Sequence, residues 1–78
     1  MMTTVAPLTN FQFADKVDVH YTMASRLRNG ERVPSLNTFT KVVDVFGLTD
    51  AQIREWLNAI AKGEEASGKW LRDNVFGS

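Results

Sequence analysis

The 78-residue chain contains no cysteine, which removes disulfides, thiolate metal ligands and a thiol nucleophile together. That absence fits a reducing cytosol. No apolar run approaches the roughly 20 residues that a membrane-spanning helix needs. The start Met1-Met2-Thr3-Thr4-Val5-Ala6-Pro7 lacks the basic residues and long apolar centre of a secretory signal. A cytoplasmic protein without a membrane partner is therefore expected. The single histidine, His20, has no second ligand at metal spacing, so no metal is expected. No glycine loop that would grip phosphate and no nucleophile beside an evident base can be found. The acidic pair Glu64-Glu65 reads as solvated, because acid–base catalysis needs a cleft that perturbs one of two carboxyls. Neither an enzyme nor a cofactor is expected.

Net charge is absent too: nine basic residues balance nine acidic ones, which alone argues against a nucleic-acid partner. The distribution is less even. Residues 1–41 carry Lys16, Arg26, Arg28, Arg32 and Lys41 against Asp15, Asp18 and Glu31, and the excess reverses after residue 41. One face can thus be basic while the back is acidic.

What is present is helix punctuation. The length allows one domain over 1–78, and the 44% hydrophobic content allows one modest core. Thr9 with Gln12 makes a capping box ahead of Phe13, Ala14 and Val17. Asp18-Val19-His20 is a tight connection to a second helix over Tyr21–Asn29, with Ala24 and Leu27 inward and Gly30 as its left-handed cap. Pro34 marks a loop, after which Ser35 caps a third helix with a stripe of Leu36, Phe39, Val43 and Phe46. Gly47 ends that helix. Thr49 with Gln52 opens a fourth, striped by Ile53, Trp56, Leu57 and Ile60. Residues 62–68 read as a flexible polar link, and residues 69–78 as an apolar tail beyond a core of residues 8–61. Trp56 and Trp70 read as core or interface residues. An all-α domain of four to five short helices is expected.

The first two helices carry the functional signal. A helix-turn-helix needs a small residue in its first helix, which is Ala14. It needs an apolar plug in the turn, which is Val19, and an inward residue late in the second helix, which is Leu27. The second helix can then present its outer face to the major groove, which admits a helix. Arg26 is suited to a bidentate contact with guanine, Tyr21 and Met23 to a thymine methyl or sugar edge, and Thr22 to either role.

Leu8-Thr9, Phe13-Ala14-Asp15-Lys16-Val17 and Val19, followed by Ser25-Arg26-Leu27-Arg28-Asn29-Gly30, Arg32 and Pro34-Ser35-Leu36, resemble the Cro and cI phage-repressor family of XRE type. Thr38, Lys41-Val42 and Phe46-Gly47-Leu48-Thr49 extend the likeness, in unbroken register over residues 8–57. The resemblance implies a lambda-repressor-like, phage or bacterial transcriptional regulator, a repressor that binds double-stranded operator DNA as a homodimer. It implies base contacts from Tyr21, Thr22 and Arg26, with Met23 and Ser25 as neighbours. Asn10, Asn29 and Arg32 match positions that contact the backbone, His20 caps the helix or touches a phosphate, and Arg28 joins the backbone set. The family's usual first helix is not expected here, since only seven residues, the last of them Pro7, precede Leu8. The surface so uncovered is filled by Trp70, Leu71, Val75 and Phe76, either within the chain or in a second subunit. Phe11, Trp70, Leu71 and Phe76 are accordingly the candidate oligomer interface. Two alternatives stay open: a DNA-binding antitoxin or excisionase-type factor, and a protein-interaction module on the same scaffold that has lost DNA binding.

Overall fold

A computed structural model describes residues 8–77, in five α-helices with no strand among them: α1 (Asn10–Val17), α2 (Tyr21–Asn29), α3 (Leu36–Phe46), α4 (Asp50–Lys62) and α5 (Glu64–Leu71). A π-helical turn, Arg72–Phe76, continues α5. The domain is all-α. The reading that no helix precedes Leu8 concerns residues 1–7, which lie outside the described residues.

Local hydrogen bonds explain where the first four helices begin. The Thr9 N–H donates to Gln12 Oε1 at 2.9 Å and the Gln12 N–H to Thr9 Oγ1 at 3.1 Å, so the box satisfies two otherwise orphaned donors. Thr49 and Gln52 repeat the arrangement at 2.9 and 3.2 Å, and Ser35 Oγ accepts from the Thr38 N–H at 3.2 Å. Gly30 at φ 76° and Gly47 at φ 61° end α2 and α3 in the left-handed conformation that a Cβ disfavours.

The core joins both ends of the described segment. Phe13, Val17, Ala24, Leu27, Val42, Trp56, Leu71 and Phe76 are buried within it. Phe13 stacks between Phe46 and Phe76, with centroids 5.8 and 4.8 Å away. Trp56 stacks between Phe39 and Trp70 at 4.6 and 5.5 Å. Such pairs add about 0.5–1.5 kcal/mol each beyond the burial of their area. The Leu8 N–H donates to the Phe76 carbonyl at 2.9 Å, tying the entry to α1 to the end of the C-terminal turn.

The C-terminal third corrects two expectations. Residues 62–68 are not a flexible link: Gly63, at φ 134°, is the hinge between two helices, and α5 begins at Glu64. Its small residues are there for contact. Ser67 is fully buried and its Oγ accepts from the Trp56 indole at 3.0 Å. Gly68 lies so close to α2 that a Cβ on it would stand 2.5 Å from both Cα and N of Gly30. Trp70, Leu71 and Phe76 are likewise not an exposed oligomer surface. They are core residues of their own chain, because α5 packs on α2 and α4 and carries Trp70 and Leu71 inward, with Phe76 following on the π-helical turn. The apolar stripes also shift. Leu36 is 81% exposed and Thr38 and Val42 take the inner positions of α3, with Phe39, Val43 and Phe46 half-buried around them. In α4 Trp56 is the buried anchor, and Leu57 faces solvent.

Candidate nucleic-acid interface

The connection between α1 and α2 is three residues long. Asp18 turns the chain at φ 54° while its N–H donates to the Ala14 carbonyl. It is the one non-glycine residue with positive φ among those described, and aspartate is among the few side chains that tolerate that region. Val19 is half-buried and packs against the core, and the Val19 N–H also donates to Ala14 O, at 3.0 Å. His20 then starts α2 as its N-cap: Nδ1 accepts from the Thr22 N–H at 3.1 Å. Of the two roles expected for His20, this is the cap.

With Ala24 and Leu27 fully buried, the opposite face of α2 is set by helical geometry. Thr22, Arg26 and Asn29 are exposed, and Ser25 half-exposed, on one stripe. At about 100° per residue these four fall within roughly a third of the helix circumference. Asn29 Nδ2 donates to Ser25 Oγ at 3.4 Å, a weak bond within the stripe. No other described residue bonds to the Arg26 guanidinium, so it is available to a partner. α2 carries two arginines, Arg26 and Arg28, and no acidic residue. Arg32 is exposed in the loop that follows. The stripe offers hydroxyl, amide and guanidinium groups side by side, which are the donors and acceptors that base edges and phosphates take.

Three expected contact residues turn elsewhere. Met23 is half-buried and packs against the core, about 100° around the helix from Thr22 and on the inward side. Arg28, two positions after Arg26, lies on roughly the opposite side of α2. Its guanidinium donates to Asn10 Oδ1 at 3.2 Å and sits 5.0 Å from the centre of the Phe76 ring. The Arg28 carbonyl in turn accepts from Arg72 Nη1 at 2.7 Å. Arg28 and Asn10 therefore join the first turn of α1 to the end of α2 and to the C-terminal turn. The spacing held the signal, since position 28 shares a face with Ala24 and Tyr21 rather than with Arg26.

Phe11, proposed from the sequence for an oligomer interface, is 69% exposed. Its ring meets that of Tyr21 edge to face, with centroids 4.6 Å apart and 74° between planes. Neither Phe11 nor Tyr21 belongs to the core cluster. Both stand at the starts of their helices, and the contact between them is made by their side chains.

The chain matches no protein-family model, no curated protein and no solved structure.

Proposed function

We propose that this chain is a sequence-specific double-stranded-DNA-binding protein of the helix-turn-helix type, acting as a transcriptional regulator of repressor kind. The observation that carries the reading is the exposed stripe Thr22, Ser25, Arg26 and Asn29 on α2, held outward by a tight turn and a fully buried inner face. A helix presented in this way has the width and the polar groups that the major groove accepts. Arg26 reads a base, with Thr22 and Ser25 beside it; Asn29 and Arg32 hold the backbone. Zero net charge does not oppose this, because the affinity for phosphates depends on the local basic face.

Two copies reading a palindrome would place their α2 helices about 34 Å apart, one turn of the duplex. Because Trp70, Leu71 and Phe76 are internal, such a pairing has to use another surface. The exposed Leu36 favours a second reading, a protein-interaction module on the same scaffold.

Selection of bound sequences from a random duplex library at physiological salt, with Arg26→Ala run in parallel, separates these readings. Enrichment by the wild type that Arg26→Ala abolishes supports DNA recognition through α2. A palindrome among the enriched sequences gives the half-site spacing of a dimer, and an asymmetric site gives a monomer. Absence of enrichment by the wild type moves the assignment to the interaction module.

A further inference from the structure

The exposed aromatic pair Phe11–Tyr21 is not accounted for by packing. The two rings contact each other edge to face, remain 69% and 43% exposed, and lie outside the core. Their place is informative. Tyr21 is the first residue of α2 and Phe11 the second of α1. Ser25 follows Tyr21 about 40° around the helix and leads onto the stripe of Thr22, Asn29 and Arg26. The pair thus forms an apolar border along one edge of the polar reading face.

Resting on the DNA-binding reading above, we propose that Phe11 and Tyr21 together read the C5-methyl group of a pyrimidine at the part of the site met by the start of α2. The major-groove edges of the bases are lined with donors and acceptors, and the methyl of thymine is the apolar exception. A phenylalanine ring has neither donor nor acceptor, so it gains on that surface only by covering a methyl. The edge-to-face contact with Tyr21 holds the ring in place, which limits the freedom Phe11 loses on binding. Thymine supplies the group in ordinary duplex, and 5-methylcytosine supplies the same group in methylated duplex.

The test uses the best duplex from the selection, with each thymine replaced in turn by deoxyuridine, which lacks only the methyl. Affinities are measured by fluorescence anisotropy for wild type, Phe11→Ala and Tyr21→Phe. The wild type is expected to weaken about fourfold at one thymine position, the factor that burial of one methyl group gives. Phe11→Ala should bind the two duplexes equally, while Tyr21→Phe, which keeps the ring, should retain the difference. At the same position 5-methylcytosine should bind more tightly than cytosine to the wild type and to Tyr21→Phe, and no more tightly to Phe11→Ala. Melting temperatures of both variants should match the wild type, because the two side chains are exposed.

A wild type insensitive to every deoxyuridine replacement overturns the proposal while leaving the DNA-binding reading intact. So does a Phe11→Ala variant that keeps the fourfold difference. If Phe11→Ala lowers the mass measured by sedimentation, the pair belongs to a contact between copies and the proposal fails. If no duplex is enriched at all, the underlying reading fails first.

Discussion

Replacing Gly68 by alanine should destabilise this domain, although the same change in an open helix stabilises by about 1 kcal/mol. The reason is the meeting of α5 with the end of α2. An added Cβ would stand 2.5 Å from Gly30 Cα and N and 3.2 Å from the Arg28 carbonyl. Carbon atoms in favourable contact lie about 3.5–4.0 Å apart, so the two backbones must separate by about 1 Å. Backbone cannot rotate aside as a side chain can. Separation loosens Ser67 under Trp56 and Leu71 in the core. Overpacking costs about 1–3 kcal/mol; with backbone on both sides of the clash the upper part of that range, about 2–3 kcal/mol, applies and outweighs the gain in helix propensity. A net loss of about 1–2 kcal/mol lowers the melting temperature by about 4–16 °C in a domain of this size. Thermal unfolding followed by circular dichroism measures it, with urea titration for the free energy. Gly47→Ala is the informative companion, since Gly47 has positive φ and open space around it and loses only through backbone strain. Unchanged or raised stability in Gly68→Ala would refute the close packing of α5 on α2.

Other perturbations test the same architecture. Ser67→Ala removes the acceptor of the buried Trp56 indole N–H and should cost about 1–3 kcal/mol; urea unfolding followed by tryptophan fluorescence reads this, and an unchanged midpoint would contradict the bond. Truncation after Lys62 deletes the buried Trp70, Leu71 and Phe76 and should leave residues 1–62 without a cooperative thermal transition; a sharp melt near that of the full chain would make α5 an appendage. Arg28→Ala should lower stability by about 1–2 kcal/mol through the lost bond to Asn10 and the lost Phe76 contact. Arg26→Ala should leave stability within about 0.5 kcal/mol. Equal effects of the two arginine changes on melting would remove the distinction drawn between their faces.

Helices α1 to α4 were legible in the sequence because their boundaries are local chemistry. Thr9 with Gln12, Ser35, Thr49 with Gln52, Gly30 and Gly47 each act on residues within one turn of themselves. The identity of α5 depends on contact between positions far apart. Ala66, Ser67 and Gly68 have the composition of a linker, and Ser67 and Gly68 are small because Trp56 and Gly30 press against them. The exposed stripe of α2 could be read from its period. The same period places Arg28 off that stripe, but its contact with Phe76, 48 positions later, is announced by no local pattern. Leu36 misled for a related reason: it begins its helix about 90° from the middle of the buried face, at the edge of the stripe.

The exposed stripe of α2 as the DNA-reading surface is tested most directly by mapping backbone amide shifts as a selected duplex is added to labelled protein. Thr22, Ser25, Arg26 and Asn29 should move most, together with Phe11 and Arg32, while exposed residues of α4 and α5 such as Arg54, Glu64 and Lys69 stay still. Shifts centred on α4 and α5, with the α2 stripe unmoved, would contradict the account.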